Sequence, residues 1–193
     1  MWNPAKDWVG WLLIVSLVGG SMWGYFHPHD LRHAGIWDDL PLYRRVILPY
    51  ANGINVHDGA GMSLRQFKKL PPAVGHLWAA SWCHSEVVSG GFGRFFSSPK
   101  GMLAPEAVEG FRAIGLPDAA DLVQQAMDIF PKPYPRKWDR RSELLDEKLE
   151  HARGSGLFEK LDRRFVELMS PESGDSGDRF EKAANRYARE KLK

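Results

Sequence analysis

The chain is short of cysteine, of net charge and of strand-like patterning, and each shortage excludes a class of protein. One cysteine, Cys83, leaves no intramolecular disulfide framework. A lone Cys in an apolar helical run reads as a small buried hydrophobe and suits a reducing compartment. Lys and Arg total 26 and Asp and Glu 24, a formal net charge of +2. That balance gives no footing for nucleic-acid binding by charge alone. Strand-like alternation is confined to residues 53–56, too short a run to build a sheet. The run Gly90-Gly91-Phe92-Gly93 follows no strand and precedes no Lys-Ser or Lys-Thr pair, which excludes a phosphate-cradling loop.

What is present is an aromatic-rich chain patterned at helical period. Hydrophobic residues make up 44% of it, with eight Trp and ten Phe, so a core can be buried. Its 193 residues suffice for one domain plus an extension.

Residues 8–26 read WVGWLLIVSLVGGSMWGYF, without a charge in 19 positions. As a helix this run would reach roughly 28 Å, close to a bilayer core. Trp8 and Trp11 at one end and Trp23 and Tyr25 at the other resemble two aromatic belts. The expectation is a transmembrane anchor. A cleaved signal peptide, with Gly19 and Ser21 at the cut, and a soluble core helix are the alternatives. Lys6 precedes the run and Arg32, Arg44 and Arg45 follow it, which places the main domain inside the cell. The expected location is therefore the inner, cytoplasmic membrane in a single pass, or else the cytoplasm as a soluble protein. His29 and His33 stand at helical spacing, but no further ligands complete a metal site, so no metal and no cofactor is expected.

The rest divides into an entry helix and Gly-rich loop over residues 34–62, after the anchor and hinge of residues 1–33, and a helical domain over residues 63–193. Asp38 or Asp39 would cap the entry helix, with Pro41 in its first turn. Residues 51–63, with three glycines, read as a loop. The next long helix spans residues 73–88, with Val74, Leu77, Trp78, Trp82 and Val88 on one broad face. Gly90-Gly91 ends it, and Phe92, Phe95 and Phe96 turn back onto the core. Later helices present Val108, Phe111 and Ile114; Leu122, Val123, Ala126, Ile129 and Phe130; Leu145 and Leu149; and Leu157, Leu161, Phe165 and Leu168. The last, capped by Asp178 with Glu181, presents Phe180, Ala184 and Tyr187. The prediction is an all-α fold, a single antiparallel multi-helix domain behind an N-terminal hydrophobic helix.

The order of these pieces resembles a known family. Glu86-Val-Val-Ser89-Gly90-Gly91-Phe92, followed by Phe95 and Phe96, is similar to the acid-plus-Asn-Gly-Gly-Phe signature of the bacterial DNA-mimic proteins, with Ser89 in place of Asn. Residues 107–115, 118–130 and Phe158-Glu-Lys-Leu161-Asp162 resemble the pieces that follow, over residues 70–192 in all. The resemblance implies an interaction protein, not an enzyme. Its carboxylates would stand in for DNA phosphates, and its partner would be a DNA-binding regulator. The charge does not carry over: residues 73–170 hold thirteen Lys and Arg and fourteen Asp and Glu. A phosphate mimic needs a dominant negative field.

Glu86 is the most suggestive single residue, a carboxylate on an apolar helix. Its structural role would be to accept N–H groups of the Gly90–Phe92 turn. Its functional role would be acid/base or metal chemistry with His84, the enzymatic alternative. The expected motif is thus Glu86, Ser89, Gly90, Gly91, Phe92, Phe95 and Phe96, with no catalytic residue assigned. The charged face of residues 139–153 reads as a solvated helix face. The basic connector at residues 131–137 and the basic tail at residues 186–193 offer direct binding of nucleic acid or anionic lipid as a third, disfavoured reading.

Overall fold

The computed structural model describes residue 35 and residues 37–151, 156–171 and 178–191. The expected anchor at residues 8–26 and the His29–His33 pair lie outside them. Among the described residues no helix is long and apolar enough to cross a membrane, and none forms a strand.

Among the described residues there are eight α-helices: α1 (Leu42–Ile47), α2 (Ala60–Phe67), α3 (Pro72–Phe96), α4 (Ala104–Ala113), α5 (Pro117–Met127), α6 (Trp138–His151), α7 (Glu159–Met169) and α8 (Arg179–Lys191). Short 3-10 turns occupy Leu48–Gly53 and Pro99–Leu103. The long α3 is the spine, with α4, α7, α8 and α1 packed around it and α5 laid on α4. Where α3 and α4 cross, Gly110 lets the helices close up: a Cβ there would stand 2.5 Å from the carbonyl oxygen of His76.

The apolar stripes of α4, α5, α7 and α8 fall inward largely where their period puts them. Val108, Phe111, Ile114, Leu122, Val123, Ala126, Phe165, Phe180, Ala184 and Tyr187 are all buried. In α3 the first half is surrounded, and Val74, Leu77, Trp78 and Ala80 are buried. From Cys83 to the glycine pair the helix buries a narrower strip of Cys83, Glu86 and Val87. Val88 lies about 100° further round the helix and is 47% exposed, so it does not share the core face with Val74.

Two starts differ from expectation. The entry helix has Pro41 at its N-cap and no side-chain cap, so neither Asp38 nor Asp39 serves. Helix α2 begins at Ala60, inside the segment read as a loop, with Ser63 fully buried and its hydroxyl donated to the carbonyls of Asn55 (2.7 Å) and Gly59 (3.0 Å). Tyr43 and Ile47 of α1 belong to the same buried cluster as α3. The Tyr43 N–H donates to Asn185 Oδ1 of α8 at 3.0 Å.

The largest departure is Arg141. It sits on the same side of α6 as Leu145, one turn on, and has no exposed surface. Its guanidinium donates to the carbonyls of Phe96 (3.1 Å), Ser98 (2.7 Å), Pro135 (3.3 Å) and Arg136 (2.6 Å). Burial pulls its pKa down, but a guanidinium stays charged, so four carbonyl dipoles hold an ion here without a carboxylate hydrogen-bonded to it. The connector before α6 is likewise tied down, not free for ligands: the Tyr134 hydroxyl donates to Gly101 O at 2.8 Å, and Arg136 pairs with Glu106.

Arg141→Leu should lower stability by about 3–5 kcal/mol, because it leaves buried carbonyls without donors. Arg141→Lys should recover only part of the loss, since an ammonium cannot span the same carbonyls. Urea denaturation of the three proteins tests this, and equal midpoints for wild type and Arg141→Leu would refute it.

Candidate functional site

The expected motif is brought together around a break in α3. Gly90 adopts φ −169° and ψ 18°, and Gly91 adopts φ 77° and ψ 175°, so the helix stops and restarts at Phe92. A positive φ favours glycine. At Gly91 there is no room for a side chain either: a Cβ would stand 2.6 Å from Asp162 Oδ2. The restart leaves the Phe92 N–H without a helical partner, and Asp162 Oδ1 accepts it at 2.7 Å. Burial raises the Asp162 pKa, an effect that the Phe92 N–H partly offsets. The three phenylalanines that follow have no exposed surface. Phe92 meets Phe165 edge-on at 5.5 Å, and Phe96 packs against Phe158 at 5.6 Å and Phe130 at 5.0 Å.

Glu86 therefore does not serve the glycine turn; Asp162 does. The Glu86 carboxylate is 7% exposed and lies between two cations. Lys100 Nζ stands 2.6 Å from Oε1, and Arg94 Nε stands 3.1 Å from Oε2. Lys100 also lies over the Trp82 ring, 5.6 Å from its centroid.

His84 has a separate set of partners. Its ring stacks on Phe180 at 4.4 Å and 11°. Its Nε2 lies 3.2 Å from Asp178 Oδ2, within ion-pair range but off hydrogen-bond geometry. Asp178 Oδ1 meanwhile accepts the Glu181 N–H at 2.7 Å, the expected cap of α8. Burial pushes the Asp178 carboxyl up, but His84, the Glu181 N–H and Arg44 outweigh it, and its pKa lies below the usual carboxylate range. Stability from this group is present above the unfolded carboxylate pKa and fades as pH falls through the lower folded value.

Two depressions flank this part of α3. A cleft of about 440 Å³ between α1, α3 and the start of α8 is lined by Tyr43, Trp82, His84, Ser89 and Asp178. A second of about 350 Å³ is lined by His57, Glu86, Arg94, Ser97 and Ser98. Lys100 lines both. His84 and Glu86, two positions apart on a helix, point apart and do not share a cavity. Cys83 is fully buried, and that burial, with Glu86 nearby, pushes its thiol pKa far up, so it is held protonated. Among the described residues no group of three or more His, Cys, Asp and Glu is placed to hold a metal.

The sequence reading singled out Glu86 and missed Lys100, Arg94 and Asp178 as its neighbours and those of His84. It noted Asp162 only as part of Phe158-Glu-Lys-Leu161-Asp162. In the fold that piece meets the glycine pair 70 positions away: Asp162 holds the turn, and Phe158 packs on Phe92 at 6.1 Å.

These features define an all-helical domain whose signature residues build a broken helix and its clamp. The chain belongs to the DMP19-like protein family, whose model matches residues 68–191. Comparisons with curated proteins and with solved structures give no match.

Asp162→Ala should cost about 1–2 kcal/mol, the expense of leaving the Phe92 N–H unpaired. Asp162→Asn keeps an acceptor without a charge, so it should match or exceed the wild type at neutral pH. Its folded carboxyl has a raised pKa, so the wild type loses stability as pH climbs from the unfolded carboxylate pKa through the folded one, and Asp162→Asn should lack that slope. Chemical denaturation between pH 3 and 7 is the measurement; an Asp162→Ala protein as stable as wild type would show that the clamp does not hold the turn.

Proposed function

We propose that the chain is a non-catalytic protein-interaction module whose partner is a DNA-binding regulator, held at a membrane by residues 8–26. Membership of the DMP19-like family carries this reading. It is supported by the separation of His84, which faces Asp178, from Glu86, which faces Lys100 and Arg94; this leaves the enzymatic alternative without a shared site.

The mode of binding differs from a bulk phosphate field. Three of the exposed carboxylates are matched at close range: Asp121 by Arg112, Glu143 by Arg140 and Glu159 by Arg163. Such pairs cancel at a distance and contribute little individually. Recognition then falls to contact surface. Trp138 is 55% exposed, and its indole N–H is fixed on the Ser97 carbonyl at 2.6 Å. A tryptophan presented in one orientation is the residue type that anchors interfaces.

The test is capture by the full chain of a partner from membrane extracts, followed by binding measured with the purified partner. The partner is expected to bind DNA and to release it when this chain is added, with Trp138→Ala weakening the complex about tenfold or more. Simultaneous binding of DNA and this chain, or no reproducible partner, would overturn the reading. Deleting residues 8–26 should move the protein from the alkali-washed membrane fraction to the supernatant; an unchanged distribution would remove the tether alone.

A further inference from the structure

The turn that follows α3 collects more positive charge than it neutralises. Glu86 is nearly buried and needs a counter-ion. Lys100, 2.6 Å away and 14% exposed, supplies a full one. Arg94 is a second cation on the same carboxylate, surplus to that need. Arg141 stands behind the turn, donating to Ser98 O at 2.7 Å, and all of its hydrogen bonds go to carbonyls. Asp139 lends Arg141 a weak attraction. Even with that carboxylate included, cations outnumber anions around the segment.

Arg94 is also only partly used. Its Nε donates to Glu86, and its two terminal amino groups make no bond to any described residue. The side chain is 39% exposed and lines the 350 Å³ depression together with Lys100, Glu86, whose charge Lys100 offsets, His57, Ser97 and Ser98. The Ser97 and Ser98 hydroxyls donate back to the carbonyls of Arg94 and Phe95, so charge, not hydroxyl donation, defines the chemistry of the pocket. A guanidinium with both terminal amines free presents the fork that fits a phosphate or carboxylate. The depression falls at the lower end of the size range of small-molecule sites.

We propose that this pocket binds the phosphate or carboxylate group of a small molecule, with the terminal amines of Arg94 as the fork and Lys100 as the second charge. The pocket rests on Arg94 and Lys100 and partner recognition on family membership, so failure of one leaves the other standing.

Calorimetric titration of the full chain at fixed ionic strength, with inorganic phosphate in one arm and citrate in the other, tests it. Saturable binding of either ion is expected, phosphate alone indicating a phosphoryl ligand and citrate alone a polycarboxylate. Arg94→Gln keeps the Lys100–Glu86 pair, so the fold should survive, as circular dichroism can verify. It should weaken binding about tenfold or more, and Arg94→Lys should fall between the two. No heat beyond that of chloride, or an Arg94→Gln titration that overlays the wild type, would overturn the proposal.

Discussion

The fold depends on a five-residue stub of helix, Phe92 to Phe96, being held at both ends. A helix this short has almost no stability of its own, because nucleation costs more than one turn returns. Its amino end is met by the Asp162 carboxylate on the Phe92 N–H, and its carboxyl end by the Arg141 guanidinium on the carbonyl of Phe96. The signs are those that the helix dipole favours, an anion at the start and a cation at the end. The two clamps come from α7 and α6, and Asp162 lies 70 positions from Phe92 and Arg141 45 from Phe96. Three fully buried phenylalanines ride on the stub, each contributing about 1.5–3 kcal/mol by removal from water. Locking the stub therefore fixes how α6 and α7 meet the spine.

The same logic explains why several charges lie inside a small domain. Each is stationed where a backbone end or an opposite charge offsets the loss of water. Glu86 meets two cations, Arg141 meets carbonyls, and Asp178 both caps α8 and faces His84. Asp178 thereby links the last helix to the spine through one side chain. The stacked ring of Phe180 beside it makes the contact partly apolar, so the His84 ring is anchored whichever way its charge stands.

Periodicity made most helices legible, because α4, α5, α7 and α8 are one-sided and their apolar residues recur every three or four positions. The family resemblance was legible in the order of short motifs, and the match over residues 68–191 bears it out. What sequence did not disclose was which charged residues go inside. Arg141 stands among acids and bases on α6, where a charged residue is by default solvated; nothing local says that four carbonyls from elsewhere will converge on it. Asp162 was visible as a motif member but not as a clamp, since its partner lies far away in the chain. Glu86 was assigned to the nearest donors in sequence, whereas the fold supplied nearer ones in space. The pairing of His84 with Glu86 was open to doubt from spacing alone, as neighbours two apart on a helix diverge.

Acids paired with bases a few ångströms away, as at Asp121, Glu143 and Glu159, project little field beyond a Debye length of about 8 Å. A partner evolved to bind DNA is drawn to its target by long-range attraction to phosphate. This chain, with thirteen Lys and Arg against fourteen Asp and Glu over residues 73–170, cannot supply that attraction. Selection among partners must then occur at contact distance, through shape and a few anchored side chains. Association without steering runs orders of magnitude below the electrostatic limit. For a tight complex the difference has to be made up in slow dissociation, or in confinement that raises the local concentration of the two proteins. An anchor at residues 8–26, as proposed above, would supply that confinement, and near-neutral charge and a tether would then be two parts of one arrangement.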